Sequence, residues 1–547
     1  MSDFRRCSKI SSKPLALLFE EAEKFSRMEL GGKGFGLVEM TKLGLPVPPG
    51  LIIPTYVCKS YHTEGKLPEN LMETVIKKLE RVGEKLGRRF GSSKHPLLVS
   101  VRSGAPVSMP GMMDTVLNLG INDDLVEALA RESGNPRFAY ETYLRFVKNF
   151  SEIVLKVPGE ALKEIQGQLI KSLGSSEFSS LSTEDLKKVV KGLLEEIRNR
   201  FGKEVPMKPE KQLELAIEAV FKSWNNPRAK TYRKIYKIPE DLCTAVVIQA
   251  MVFGNLGLSS GTGVCFTRDP STGEKKLYGE YLMNAQGEDI VAGERTPKPI
   301  DELEKELPEV YSQLVEVASK LEKHFKDMQD VEFTIQEGKL FILQTRSGKR
   351  SLKAAIKIAV DMVKEGLITE REAVERVDVK ELGQLLKPRV DPKANIKPIA
   401  RGLNASPGAA IGKVVFTIKD AVIYSAKGES VILVRPETKP EDMRGIAAAA
   451  GVLTSRGGMT SHAAVVARGL GKPAVVGAEG IEIDLENEVF KAGSITVKKL
   501  DVITIDGTTG SIYLGAAPLV KPEITPELKE FLSWARKYGK EVPSFST

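Results

Sequence analysis

The change of hydrophobic periodicity along this chain is the feature that most limits its possible folds. From about residue 122 to residue 238 the apolar residues recur with helical spacing, as in DDLVEALARE and EDLKKVVKGLLEEIRNRF. The neighbouring regions, about 14–120 and 243–346, contain short β-rich apolar runs such as HPLLVSVRSG and KLFILQTR. A strand-forming region interrupted by a helical insertion indicates an α/β or α+β fold.

A second strand-forming region follows a Pro-punctuated stretch. Residues 351–380 have helical periodicity, and the next segment, KPRVDPKANIKP, contains three prolines without apolar periodicity. Short β runs return over about 400–515, and APLVKPEITPEL then precedes a last helix. We therefore predict four segments, which are a domain with the helical insertion over 1–350, a helix and linker over 351–398, a smaller β/α domain over 399–515, and a linker and helix over 516–547.

The composition excludes several functional classes. Hydrophobic residues make up 41% of the 547 residues and charged residues 28%, which argues against wholesale disorder. The net charge of +8 is spread over interleaved acidic and basic residues, so a nucleic-acid partner is not expected. No apolar run reaches the length of about 18 residues that a membrane span needs, and the N-terminus does not fit a signal peptide. A cytoplasmic protein with no membrane partner is expected.

The cysteines predict neither a disulfide scaffold nor a structural zinc site. Cys7, Cys58, Cys243 and Cys265 lie far apart in the sequence, without a Cys-x-x-Cys pair or a histidine cluster. This usage favours a reducing compartment.

His462 is the strongest candidate nucleophile among only four histidines. It follows Arg456-Gly457-Gly458, and Thr460 or Ser461 can cap the helix that begins there. The positive end of a helix should lower the pKa of the imidazole and accept a phosphoryl group on free backbone N–H groups. On local features alone, a histidine that only caps or packs at a helix start is the favoured alternative. Surface or structural roles are expected for the other histidines, His62, His95 and His324.

Several charged residues are candidate phosphate and metal ligands that would not need a Walker A motif, although a surface charge is the favoured interpretation of each basic residue taken alone. Lys33 lies in a flexible Gly31–Gly34 turn, and Arg102 follows a buried strand, although either could be an ordinary surface charge. Asp330 and Glu332 are two apart on a strand, so their carboxylates share one face and could bind Mg²⁺. Gln344 and Arg346 repeat this spacing on the next strand.

The stretch GGMTSHAAVVARGLGKPAVVG resembles the phosphohistidine signature of the phosphoenolpyruvate-utilising enzymes. Within that family, SVRSGAPVSMPGMMDT and SWNNPRA are most similar to the pyruvate, phosphate dikinases. The resemblance implies an ATP-grasp-like nucleotide-binding region followed by a smaller swivelling β/α phosphohistidine domain. It also implies a set of ATP ligands, namely Lys33, Arg102, Asp330, Glu332, Gln344 and Arg346. The two acidic residues of this set would bind Mg²⁺. Glu280 would be a neighbour of the nucleotide, and Gln249 to Val252 would form the hinge that contacts the adenine.

The resemblance further implies a reaction. His462 attacks the β-phosphorus of ATP and AMP leaves, while Lys33, Arg102, Arg346 and Mg²⁺ neutralise charge in the transition state. Inorganic phosphate then removes the terminal group as pyrophosphate, and the phosphohistidine moves to a second site. In the family a threonine at the place of Thr460 can be a regulatory phosphorylation site, although a plain helix cap is the favoured interpretation for this chain.

The family also implies a phosphoenolpyruvate/pyruvate-binding barrel, which needs about 250 residues. Only 32 residues follow residue 515, so we expect the barrel to be missing from this chain. The second site would then lie on a separate protein, on another acceptor or on a removed domain. Transfer to another small molecule or protein and non-catalytic ATP binding are the alternatives.

Overall fold

A computed structural model describes most of the chain, namely residues 13–109, 111–174, 178–292, 295–379, 382, 389–391, 393–520 and 525–541. The chain divides into two compact units, of which the first is Met1–Gly257 with Phe341–Thr345 and the second is Leu258–Leu340 with Arg346–Thr547. The mixed α/β, multidomain character expected from the sequence is confirmed. The domain boundaries at 350, 398 and 515 and the ATP-grasp-like arrangement stay predictions.

The described elements are numbered in chain order. The helices are α1 Arg27–Lys42, α2 Thr55–Glu64, α3 Leu71–Leu86, α4 Asp123–Ser133, α5 Pro136–Ile153, α6 Gly159–Ser172, α7 Thr183–Phe201, α8 Pro209–Ser223, α9 Pro227–Ile235, α10 Gly287–Ala292, α11 Leu303–Glu306, α12 Pro308–Phe325, α13 Leu352–Lys364, α14 Glu370–Arg376, α15 Ile418–Ala426, α16 Met443–Ala448, α17 His462–Gly469 and α18 Pro526–Lys537. The strands are β1 Leu17–Leu18, β2 Gly50–Ile53, β3 Arg89–Phe90, β4 Pro96–Leu97, β5 Val99–Gly104, β6 Thr115–Leu119, β7 Ala245–Ala250, β8 Gly261–Phe266, β9 Tyr278–Met283, β10 Lys298–Pro299, β11 Gln329–Gln336, β12 Lys339–Ser347, β13 Arg389–Val390, β14 Ala400–Arg401, β15 Leu403–Ser406, β16 Ala409–Val415, β17 Val431–Arg435, β18 Gly451–Thr454, β19 Ala474–Val476, β20 Ile481–Asp484, β21 Val489–Ala492, β22 Ile495–Lys498, β23 Val502–Asp506, β24 Ser511–Leu514 and β25 Leu519–Val520.

The first unit is built on an antiparallel sheet with strand order β1-β2-β7-β5-β6. Helix α1 contains a break at Gly31, whose φ is +70°, and a Cβ there would overlap the carbonyl oxygen of Gly104 at the end of β5. Only glycine permits both this backbone conformation and this close approach. The prediction of a flexible turn at Gly31–Gly34 is therefore corrected, because Gly32 to Gly34 continue as helix after the break.

Helices α4 to α9 occupy the stretch whose periodicity is helical throughout. Three of these helices begin at a side-chain cap. The Asn122 side chain accepts from the backbone N–H groups of Asp124 and Leu125, Asn135 accepts from Phe138, and Ser182 forms a capping box with Asp185. Helices α4 to α7 each bury an apolar stripe, as the helical spacing of their apolar residues predicts.

A disulfide bond joins Cys58 in α2 to Cys243, which immediately precedes the β7 region, and both residues are buried. The expectation that widely spaced cysteines do not pair is therefore wrong for these two. They are 185 residues apart in sequence, and only the packing of α2 beside β7 brings them together. A ring nitrogen of His62 lies within 4.8 Å of both sulfurs, but bonded sulfurs are not the thiolates that bind metals.

Removing this disulfide should destabilise the first unit. We expect the double variant Cys58→Ser/Cys243→Ser to lose about 2–5 kcal/mol of unfolding free energy, because the bond closes a long loop in the unfolded chain. Denaturant unfolding with and without a dithiol reductant measures this difference. Reduced wild-type protein should unfold like the variant, and oxidised and reduced wild type unfolding at one denaturant concentration would contradict the prediction.

The second unit contains two large sheets. One is antiparallel with strand order β10-β9-β8-β11-β12, and β12 contributes its central residues Phe341–Thr345 to the first unit. The other has strand order β14-β24-β23-β16-β17-β18-β19-β15, with β16 to β19 parallel to one another. Alternate residues of β17 belong to two different apolar clusters, one on each face. This central strand is therefore buried on both sides, as parallel strands usually are.

Helix α18 packs on α13 through Leu528, Phe531 and Trp534, so the last helix expected from the sequence is confirmed. The predicted linker within 351–398 and the end of the 516–547 segment lie partly outside the described residues. No helix in the described part of the chain combines the length and the apolar character that a membrane crossing requires.

Candidate functional site

His462 is the first residue of α17, directly after the loop that leaves the parallel strand β18. Of the two caps considered from the sequence, Ser461 is the one observed, and its side chain accepts from the backbone N–H of Ala464 at 3.5 Å. Ala463, Ala464 and other small residues of α17 pack into the apolar core. His462 itself is half-buried. Loops at the carboxyl ends of parallel strands are where open α/β sheets usually bind ligands.

The imidazole of His462 is oriented by Thr438, whose Oγ1 lies 3.1 Å from Nδ1. A neutral ring that donates from Nδ1 to this hydroxyl keeps the lone pair on Nε2, which is the arrangement a nucleophile needs. Burial lowers the pKa of His462, and Lys349 lowers it further, while Asp442 and Glu441 oppose the shift. The predicted direction is confirmed, but its leading cause is burial.

The pH dependence of His462 reactivity should follow from this shift. Because the folded-state pKa lies below the ordinary value of 6.5, the ring should stay neutral at pH values where an exposed histidine is half protonated. We expect the nucleophilic reactivity of His462 to fall only on acidification through a pKa below 6.5. Single-turnover rates measured between pH 5 and 8 test this, and an acid limb above pH 6.5 would contradict it.

Two side chains hold the backbone just before His462. The Glu280 carboxylate on β9 accepts from the backbone N–H of Met459 at 3.0 Å and from Thr460 Oγ1 at 3.4 Å. The guanidinium of Arg468, fully enclosed in the core, donates to the carbonyl oxygens of Met459 and Ala405. Glu280, which the family resemblance placed beside the nucleotide, therefore contacts the histidine loop.

Asp330, Glu332 and Arg346 form a charged cluster on the antiparallel sheet of the same unit. Asp330 and Glu332 alternate with buried residues on β11, so both project from one face as predicted. The Arg346 Nε donates to Asp330 Oδ2 at 2.7 Å. Burial raises the pKa of Asp330, and the positive charge of Arg346 opposes that rise.

This cluster is chemically suited to Mg²⁺. Two carboxylates on one face provide the hard oxygen ligands that Mg²⁺ prefers, and a buried carboxylate such as Asp330 is costly unless a cation compensates it. Arg346 supplies that compensation here and is itself a bidentate donor suited to phosphate. Asp330 and Glu332 would hold the ion beside this guanidinium.

The first unit brings together other predicted ligands around β5. Arg102 is buried, and its Nη2 donates to Gln249 Oε1 and to the backbone carbonyl of Leu343 at 3.1 Å. The Gln249 side chain also donates to the carbonyl of Pro48 at 2.9 Å, and Val252 lies just beyond β7, so the Gln249–Val252 segment is not one continuous strand. Gln344 follows Leu343 in the chain.

Lys33 lies beside the same strand. A Cβ placed at Gly104 would be 3.4 Å from the Lys33 Cβ, and one at Gly36 would be 3.0 Å from the Thr345 carbonyl oxygen. The two glycines therefore allow α1 to approach both β5 and the central part of β12.

The predicted residues thus divide between the two units. Lys33, Arg102, Gln249, Val252 and Gln344 belong to the first unit. The second unit contains the rest, namely Glu280, Asp330, Glu332, Arg346, Thr460 and His462. Sequence reasoning missed Thr438 and Arg468, whose contacts with the histidine loop span 24 and 9 residues of sequence.

Comparisons with known proteins agree with the motifs. Residues 65–310 and 300–367, more than half of the chain, match the family described as "Pyruvate phosphate dikinase, AMP/ATP-binding domain". Residues 427–510, which include His462, match "PEP-utilising enzyme, mobile domain".

Curated relatives match almost the whole chain. It is 51% identical over 528 residues to a pyruvate, phosphate dikinase of Rhizobium meliloti (strain 1021), and 50% identical over 527 residues to one of Clostridium symbiosum. These alignments cover 94% and 95% of this chain but 59% and 60% of the relatives. The chloroplastic pyruvate, phosphate dikinase 1 of Arabidopsis thaliana is 50% identical over 518 residues, which cover 94% of this chain and 54% of that protein. The chain therefore spans about three fifths of the length of the curated relatives it matches.

Proposed function

The chain belongs to the pyruvate, phosphate dikinase family, and on that premise we propose that it transfers a phosphoryl group from ATP to its own His462. It acts as an ATP- and phosphate-dependent phosphotransferase. The observation that carries this proposal is the setting of His462, a half-buried imidazole at the start of α17 whose Nδ1 lies 3.1 Å from the Thr438 hydroxyl and whose pKa is lowered by burial.

The transfer begins with a neutral imidazole. His462 Nε2 attacks the β-phosphorus of ATP, the bond to the α-phosphate oxygen breaks, and AMP leaves with that oxygen. Lys33, Arg102 and Arg346 neutralise the charge that develops on the phosphate oxygens. Asp330 and Glu332 would hold Mg²⁺, which would supply positive charge against the phosphate oxygens.

The pyrophosphorylated histidine then reacts with inorganic phosphate. The terminal phosphoryl group passes to phosphate, pyrophosphate leaves, and His462 keeps one phosphoryl group. We propose pyruvate as the final acceptor, held on a phosphoenolpyruvate/pyruvate-binding barrel that either belongs to a separate protein or forms another part of the same protein.

Thr460 is a proposed regulatory phosphorylation site. Its hydroxyl donates to Glu280 Oε2 at 3.4 Å, so a phosphate dianion on Thr460 would stand directly against a carboxylate. Such repulsion would displace the loop that carries His462. Phosphopeptide mapping of the protein purified from its own cells tests this role, and an unmodified Thr460 under every growth condition would argue against it.

Isotopic labelling tests the proposed reaction. Incubation with β-labelled ATP should give one acid-labile, alkali-stable label per chain together with an equal amount of AMP. Inorganic phosphate should then convert the terminal group to pyrophosphate. ATP binding without AMP formation in the presence of phosphate would overturn the proposal and indicate a non-catalytic nucleotide-binding protein.

A further inference from the structure

Glu280 occupies an unusual place for a carboxylate. It is only 8% exposed, on strand β9, and its two oxygens accept hydrogen bonds from the loop before His462. Burying a carboxylate is unfavourable unless hydrogen bonds or charges compensate it. Burial raises the pKa of Glu280, while the hydrogen bonds from Met459 and Thr460 and the positive charge of Arg468 oppose the rise. The compensation for this buried carboxylate therefore comes from the histidine loop and from α17.

The strand register places Glu280 on the same sheet face as the acidic cluster. Val264 of β8 pairs with Glu280 on one side and with Glu332 on the other, and Phe266 pairs with Tyr278 and with Asp330. Directly opposed residues of neighbouring strands project to one face. Glu280 and Glu332 are thus two strand spacings, about 10 Å, apart across one surface.

The loop is shaped to meet this carboxylate. Gly458 comes so close that a Cβ in its place would overlap the Glu280 carboxyl group. Its φ does not lie in the left-handed region, so the need for glycine here is one of space alone. Met459 is held at both backbone groups, since Glu280 accepts from its N–H and Arg468 donates to its carbonyl oxygen.

We propose that Glu280 is a positioning residue that holds the histidine loop against the sheet face of Asp330 and Glu332, and that it is not a ligand of the nucleotide. Two hydrogen bonds to a single carboxylate place His462 on this face, and breaking them frees the loop to leave it. The inference rests on the proposed function because positioning matters for catalysis only if His462 receives a phosphoryl group.

The experiment compares Glu280→Ala and Glu280→Gln with Glu274→Gln, an exposed control on the loop before β9. Three quantities are measured, namely hydrogen exchange of the 457–461 amides, the single-turnover rate of His462 labelling by ATP, and ATP affinity. Removal of the carboxylate should speed exchange at the Met459 amide at least 10-fold and slow labelling about 10- to 100-fold, while ATP affinity stays within twofold. Glu280→Gln should keep part of both effects, because its amide oxygen can still accept.

The Gly458→Ala variant tests the contact between Glu280 and the histidine loop from the side of the loop. Alone it should mimic Glu280→Ala by forcing the carboxylate and the loop apart. Combined with Glu280→Ala it should add almost nothing, because the two changes act on one contact.

Two results would overturn the inference. One is an ATP affinity that falls 10-fold in Glu280→Ala while loop exchange is unchanged, since this marks a nucleotide ligand. The other is full additivity of Glu280→Ala and Gly458→Ala. Failure of the proposed function gives a different result from these two. The wild-type protein would then take up no label from ATP, while hydrogen exchange at the Met459 amide would still respond to the Glu280 substitutions.

Discussion

Replacement of His462 by alanine is expected to abolish labelling of the protein by β-labelled ATP, with a fall of at least 10⁴-fold in single-turnover rate. The reason is chemical. The imidazole provides the Nε2 lone pair that forms the bond to phosphorus. The other three histidines, His62, His95 and His324, do not lie in the loop that leads into α17. ATP should still bind, since the predicted nucleotide ligands are other residues.

His324→Ala is the matched control, because His324 is exposed on α12 and should label at the wild-type rate. Thr438→Val keeps the nucleophile but removes the hydroxyl 3.1 Å from Nδ1, so we expect an intermediate loss of about 10- to 100-fold. Acid-labile label retained by the His462→Ala variant would refute the assignment of the nucleophile.

Replacement of Arg346 by alanine is expected to have the second largest effect, a fall of about 10³-fold in the rate of His462 labelling. The guanidinium is the group that can present two parallel donors to phosphate oxygens. Arg346→Lys should recover little of this rate, because an ammonium is a single point charge without that fork. Single-turnover labelling at saturating ATP measures the effect.

The same substitution leaves Asp330 without its 2.7 Å partner, so a structural cause must be separated from a catalytic one. Arg346→Lys keeps a positive charge that can compensate the buried Asp330 carboxylate. We expect this variant to keep a thermal stability close to that of the wild type although it labels slowly. Labelling at the wild-type rate by a stable Arg346→Lys variant would contradict the phosphate-binding role of the guanidinium.

Several parts of the site could be predicted because they depend on residues close in sequence. The alternation on β11 places Asp330 and Glu332 on one face whatever the rest of the chain does. A serine, a histidine and a run of small residues likewise mark the start of α17 without tertiary information.

Other parts could not be predicted because they join residues far apart in sequence. Glu280 meets a loop 180 residues away, and Cys58 pairs with Cys243 across 185 residues. No local pattern distinguishes Glu280 from a nucleotide ligand on the same sheet face. The spacing of the cysteines was one reason to expect a reducing compartment, and the disulfide removes that reason. The cytoplasmic location therefore stays a prediction.

The sequence by itself determined the mixture of helices and strands, the helix that His462 begins and the shared face of two carboxylates. Each of these follows from periodicity or capping within a few residues. Only the tertiary structure decided which carboxylate holds the histidine loop, which hydroxyl orients the imidazole and which cysteines meet. Those choices depend on sheet register and on side-chain packing between distant segments, which local spacing does not record.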